Sequence, residues 1–231
     1  MPPATAQTAA GSWTFDVASP GLLVVSVDAK LEGEAASALR SWMDNPDLGA
    51  DGDGTVTAEE VNDFTYKALA LLNGPAAEMV SGASFLIDAK GPEKIQFKVL
   101  EFKDAPGDVD STNPIALRAL ADVTFPVKAG SRHTLTVEPS TAGEGMLNTA
   151  VEKAVLKAPR NYVIESTKGL PSAATLSADK TQIAFAGSFQ TADEMTVTFL
   201  RTGGTSPSTA FLGVVLAAVI GVAATRRRPL D

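Results

Sequence analysis

The chain has 231 residues, 45% hydrophobic and 20% charged, which is apolar enough for a substantial core, long enough for one or two domains, and excludes disorder throughout. The formal charge is −8; with Arg226, Arg227, Arg228 and Asp231 set aside, residues 1–225 carry 16 basic against 26 acidic residues, net −10, a surface that repels nucleic acid and attracts cations. Cysteine is absent, which excludes disulfides, thiolate zinc sites and a cysteine nucleophile.

Residues 1–11, small and rich in Pro and Ala, read as a disordered terminus. Ala4-Thr5-Ala6 has the form of a signal cleavage site, so the stretch is either the end of a signal peptide whose apolar part is missing or an ordinary terminus. SWTFDV (12–17) alternates, and GLLVVSVDAKL (21–31) is β-branched enough for a buried strand. The strand grammar then breaks over residues 32–74. Glu34–Met43 places Ala35, Leu39, Trp42 and Met43 on one helical face, and Val61, Phe64, Ala68, Leu69 and Leu72 make a second such face, stopped by Gly74-Pro75.

Between these predicted helices lies DNPDLGADGDGTVTAEE (44–60). A hard cation needs six to eight oxygens, and a short loop supplies them only by folding back on itself. Asp51 and Asp53 offer carboxylates, Gly54 a sharp turn, Thr55 its carbonyl, Thr57 an oxygen that reaches an ion through water, and Glu60 a closing carboxylate. Thr57 and Glu60 also have capping-box spacing, so loop and following helix form together. Residues 51–60 match positions 3 to 12 of an EF-hand loop, and the segment resembles that family, which implies Ca2+ as the bound ion. Position 1 departs from the pattern, because counting back from Glu60 reaches Gly49, which has no side-chain oxygen. Asp47 and Asp44 lie upstream, and a lengthened loop brings in one of them; we prefer Asp47. The competing reading is a polar Gly/Asp turn that binds nothing. EF-hand units normally pair and no second such loop occurs here, so the apolar helix faces must pack on something else.

SFLIDA (84–89), KIQFKVLEFK (94–103), ALRALADVTFPV (116–127) and HTLTVE (133–138) resume the strands, with NYVIEST (161–167), ATLSADKTQIAFAG (174–187) and EMTVTFLR (194–201) after them. Residues 146–158 fit either a helix or an edge strand, and residues 146–201 read as a second sheet or subdomain. The predicted fold is mainly β: a sandwich-like ectodomain over residues 12–201, carrying the helix–loop–helix of residues 32–74 as an insertion. Asp104, Asp108 and Asp110 cluster in KDAPGDVDST as a second cation site or a solvated turn, of which we prefer the turn.

Residues 202–209 (TGGTSPST) read as a flexible linker, residues 210–225 as an uncharged transmembrane helix, and residues 226–231 as a basic cytoplasmic tail. Arginines that stay in the cytoplasm put the large domain outside the cell. Linker, short apolar stretch and basic tail together resemble the C-terminal sorting signals of prokaryotic, notably archaeal, surface proteins, although Pro207 and Phe211 are separated and no LPxTG is present. No nucleophile elbow, P-loop, dinucleotide fingerprint or HExxH occurs, and the sole histidine, His133, reads as a surface or turn residue. The sequence thus points to a non-enzymatic, membrane-anchored extracellular protein with a structural or adhesive role, a cell-surface or matrix partner, and Ca2+ as a staple. The alternatives are an accessory or enzymatic ectodomain, or a tail-anchored cytosolic calcium sensor, which requires the arginines to cross the membrane.

Overall fold

The computed structural model describes residues 10–74, 83–139, 151–170, 173–187 and 194–202. The protein is mainly β, because most of its segments alternate apolar and polar residues with the period of two that puts one face of a strand inside. β1 (Ala10–Ser19) and β2 (Leu22–Leu31) form an antiparallel hairpin at the centre of a seven-stranded sheet. β7 (Ile115–Thr124) pairs with β2, and β5 (Lys94–Lys103) pairs with β7 at one edge. On the other side β9 (Val151–Lys157) runs parallel to β1, followed by β12 (Gln182–Gly187) and the short β11 (Thr175–Leu176).

A four-stranded sheet has the order β10 (Tyr162–Lys168), β13 (Met195–Arg201), β8 (Arg132–Pro139), β4 (Ala83–Ile87). Phe15 and Leu23 of the large sheet share one buried core with Phe85, Leu135, Val197 and Phe199 of the small one, and the Phe15 and Phe85 rings meet at 5.9 Å. Each fully buried side chain of this size contributes roughly 1.5–3 kcal/mol, so this cluster is the main source of stability.

Among the described residues, 151–202 form no sheet of their own: β9 and β12 complete the large sheet while β10 and β13 complete the small one. In residues 151–157 the strand reading prevails, because Ala154 and Leu156 are buried while Lys153 and Lys157 point out, a period of two; residues 146–150 lie outside the described ones. His133 is not a surface residue but is 4% exposed. Gly130 N–H donates to its Nε2 at 2.9 Å, so Nδ1 carries the proton it shares with Asp88 Oδ2 at 2.8 Å, and the ring is a satisfied end-piece of β8. Among the described residues no helix is long and apolar enough to cross a membrane; residues 203–231, which include the predicted anchor, lie outside them.

Candidate metal centre

Two helices, α1 (Glu34–Met43) and α2 (Ala58–Leu72), interrupt the strands between β2 and β4. Thr57 caps α2 as its spacing predicts: Thr57 Oγ1 accepts from Glu60 N–H at 3.2 Å, and Glu60 Oε2 accepts from Thr57 N–H at 2.8 Å. At the other end Asn73 docks on β5, its Oδ1 accepting from Phe97 N–H at 2.7 Å and its Nδ2 donating to Phe97 O at 3.0 Å, beside a break in the β5 register. A strand edge that would otherwise leave this amide unpaired is thereby satisfied.

The apolar faces of the helices find their cover at one end of the large sheet. Ala36, Met43, Val56 and Val61 form a second small core with Ala105 and Ile115, and Phe64 meets Phe102 of β5 edge-on at 5.7 Å. Sequence reasoning misplaced one residue of α1 and passed over another. Trp42 is 64% exposed instead of buried, and Arg40, which counts as a surface charge by type, is 1% exposed. The buried stripe is Ala36, Arg40 and Met43. Arg40 lies inside because its guanidinium reaches backbone oxygen: Nε donates to Ala105 O (2.8 Å), Nη1 to Ser111 O (2.7 Å) and Asn113 O (2.9 Å), and Nη2 to Asp104 O (2.8 Å). Hydrogen bonds from a charged donor contribute about 1.5–3 kcal/mol each, which offsets the cost of burying the charge.

Between the helices the chain takes a short 3-10 turn, Pro46–Leu48, then doubles back through Gly52 and Gly54, both at positive φ (71° and 91°). A side chain at Gly52 would also run into the Pro46 ring, 2.6 Å from where its Cβ would stand. The doubling back brings the carboxylates of Asp44, Asp51 and Asp53 together, with ligand oxygens within 4.8 Å of one another. Asp44, the residue that ends α1, is 8% exposed. Its Oδ2 accepts from Gly54 N–H at 3.0 Å, whereas its Oδ1 is buried with no hydrogen-bond partner. Asp51 Oδ1 accepts from Asp53 N–H (3.1 Å) and Asp53 Oδ1 from Thr55 N–H (2.8 Å), so each turn of the loop is pinned by the carboxylate that opens it.

Asp47, the residue preferred from the sequence for the first ligand position, is on the 3-10 turn and exposed, outside this group. Asp44 is the upstream carboxylate that stands beside Asp51 and Asp53, because the Pro46–Leu48 turn loops out and lets the end of α1 reach Gly54 directly. Gly49, where the unlengthened register falls, only closes that turn. Glu60 stays at the rim: its carboxylate accepts from Thr57 N–H, Thr57 Oγ1 (2.9 Å) and Asp51 N–H (3.3 Å). These bonds, foremost the one from Thr57 N–H, hold the Glu60 carboxyl below its ordinary value of 4.5.

Three carboxylates with oxygens within 4.8 Å repel one another by about 1 kcal/mol per pair in water and about 3.5 at an effective dielectric of 20. A cation would remove that repulsion and give Asp44 Oδ1 a partner, and an all-oxygen donor set suits Ca2+ or Mg2+, not a soft metal. The rest of the predicted set lies alongside, since Thr55 and Val56 form β3 (Thr55–Val56), which pairs with β6 (Gly107–Asp108). The acidic stretch 104–111 is thus the strand partner of the loop; Asp104, Asp108 and Asp110 form no metal-holding group among the described residues.

No protein-family model matches the sequence, and no curated protein matches it. Among solved structures, the chain is similar to the folded domain of LppM from Mycobacterium tuberculosis, solved by NMR, with a TM-score of 0.31 at 11% identity over 87% of this chain and 92% of that one, a likeness too slight to carry an argument.

Proposed function

We propose that the Asp44–Glu60 loop is an EF-hand-like site for one Ca2+ ion, with Asp44, Asp51 and Asp53 as carboxylate ligands, the Thr55 carbonyl and Thr57 completing the shell, and Glu60 closing it. The observation that carries this reading is the buried Asp44 Oδ1, unpartnered and grouped with two further carboxylates. A buried acceptor left unpaired costs about 1–3 kcal/mol, more when charged, and a cation is the partner that removes the cost. The ion serves as a staple for the insertion in a β-sandwich without disulfides, not as a switch, because the helix faces around Met43 and Val61 are already buried. Affinity falls in the weak range, roughly 0.1–1 mM, of extracellular modules.

In this reading residues 210–225 anchor the chain with the β domain outside the cell, where free calcium is plentiful and a structural or adhesive role suits a protein without a recognisable catalytic motif. The uncharged span and Arg226–Arg228 support the orientation. Calorimetry on the protein should give one calcium site in that range, and chelation should lower the melting temperature without uncovering apolar-dye sites when calcium returns. Dye binding that rises on adding calcium would make the loop a sensor. Protease added to intact cells should remove the domain, and full protection of it would rule the orientation out.

A further inference from the structure

We infer that Arg40 is a positioning residue for the cation site, acting through the strand that it holds against the loop; this rests on the reading of Asp44, Asp51 and Asp53 as ligands. A closed circuit of contacts carries the inference. Asp44 N–H donates to Arg40 O at 3.0 Å, so ligand and arginine are one helical turn apart on α1. Asp44 Oδ2 binds Gly54 N–H, and Gly54 O accepts from Val109 N–H at 3.0 Å. Val109 belongs to the same 104–113 loop whose carbonyls at Asp104, Ala105, Ser111 and Asn113 are gathered by the Arg40 guanidinium. Thr55 and Val56, which come just after the turn glycine, pair with Asp108 and Gly107 of that loop.

The two ends of the site are therefore fixed by one side chain: directly, through the helix that presents Asp44, and indirectly, through the strand that sets where Gly54, Thr55 and Val56 lie. No carboxylate forms an ion pair with Arg40 among the described residues, so the guanidinium is committed to carbonyls on the loop it organises. By linkage, an ion that needs this arrangement must also tighten it, and the loop 104–113 becomes more ordered when calcium binds. A fork that spans several carbonyls is a task for Arg, since Lys offers the same charge without the planar geometry.

The test uses hydrogen exchange and calorimetry on the full chain with Ca2+ alone as ligand. The Val109 amide of the wild type should exchange more slowly with calcium than with chelator, and Arg40→Lys, shown by circular dichroism to be folded, should bind calcium about tenfold more weakly, within the usual 5–150-fold range of coupling. A folded Arg40→Lys protein with wild-type affinity would overturn the inference while leaving the site standing. If that variant does not fold, the exchange result decides: equal Val109 protection with and without calcium overturns the inference. A wild type that binds no calcium overturns both the site and the coupling built on it.

Discussion

The two-sheet body and the α1–loop–α2 insertion solve the same problem with opposite chemistry. In the body, β1, β2, β4, β8 and β13 turn every second side chain inward, and Phe15, Leu23, Leu135 and Phe199 are buried against each other with almost no polar group among them. The insertion has a much smaller apolar cluster around Ala36, Met43, Val56 and Val61, and is tied down by polar groups: the Arg40 fork, the Thr57–Glu60 cap, the Asn73 clamp and the Asp44 carboxylate. Apolar burial is non-directional and forgiving of ionic conditions, whereas the polar ties depend on geometry and charge and, in the proposed reading, on a cation. The body should therefore be indifferent to calcium and acid where the insertion is not.

The sharpest break between the regions is in the body. Phe199→Ala or Phe15→Ala should cost about 3–5 kcal/mol, measured by urea denaturation, and the loss should be the same with calcium and with chelator. Next in size is calcium itself. At a free concentration of about 100 times the dissociation constant it should add roughly 2.7 kcal/mol, or roughly 5–10 °C in melting temperature, and hydrogen exchange should place the change in residues 34–73 and 104–113 instead of in β1 or β13. Thr57→Ala should cost about 1 kcal/mol by removing the α2 cap, and it should weaken calcium binding as well because the same residue lies in the loop.

The smallest effect is that of acid on Glu60. Its carboxyl is held below the ordinary 4.5 in the folded protein, so its contribution is complete above pH 4.5 and is lost as the pH falls through the lower folded value. Calcium-free Glu60→Gln should lack that part of the acid-induced loss. Equal acid profiles in the variant and the wild type would remove the cap from the account.

The same division decides how much of the molecule is legible in its sequence. Strands β5 and β13 lie within a residue of the segments that alternation picks out, and α1 spans the predicted Glu34–Met43, because period and burial coincide there. The capping box is legible because both of its residues are local. Trp42 and His133 are misplaced by sequence reasoning, and Arg40 is passed over by it. For Arg40 and His133 the environment is set by partners far from them along the chain: Asp104–Asn113 for Arg40, Asp88 for His133. Register counted along the sequence does not bring Asp44 beside Asp51 and Asp53 for a related reason, since only the looping out of Pro46–Leu48 shows that the end of α1 reaches Gly54. A clue is present nonetheless, in the Pro after Asn45, which starts such a turn.

The central claim is that Asp44, buried at the end of α1, completes the cation site and that Asp47 does not. Calorimetric titration of calcium into folded Asp44→Asn beside folded Asp47→Asn tests it most directly. We predict that Asp47→Asn binds as the wild type does and that Asp44→Asn loses measurable binding; the reverse order, or wild-type binding by Asp44→Asn, would contradict the account.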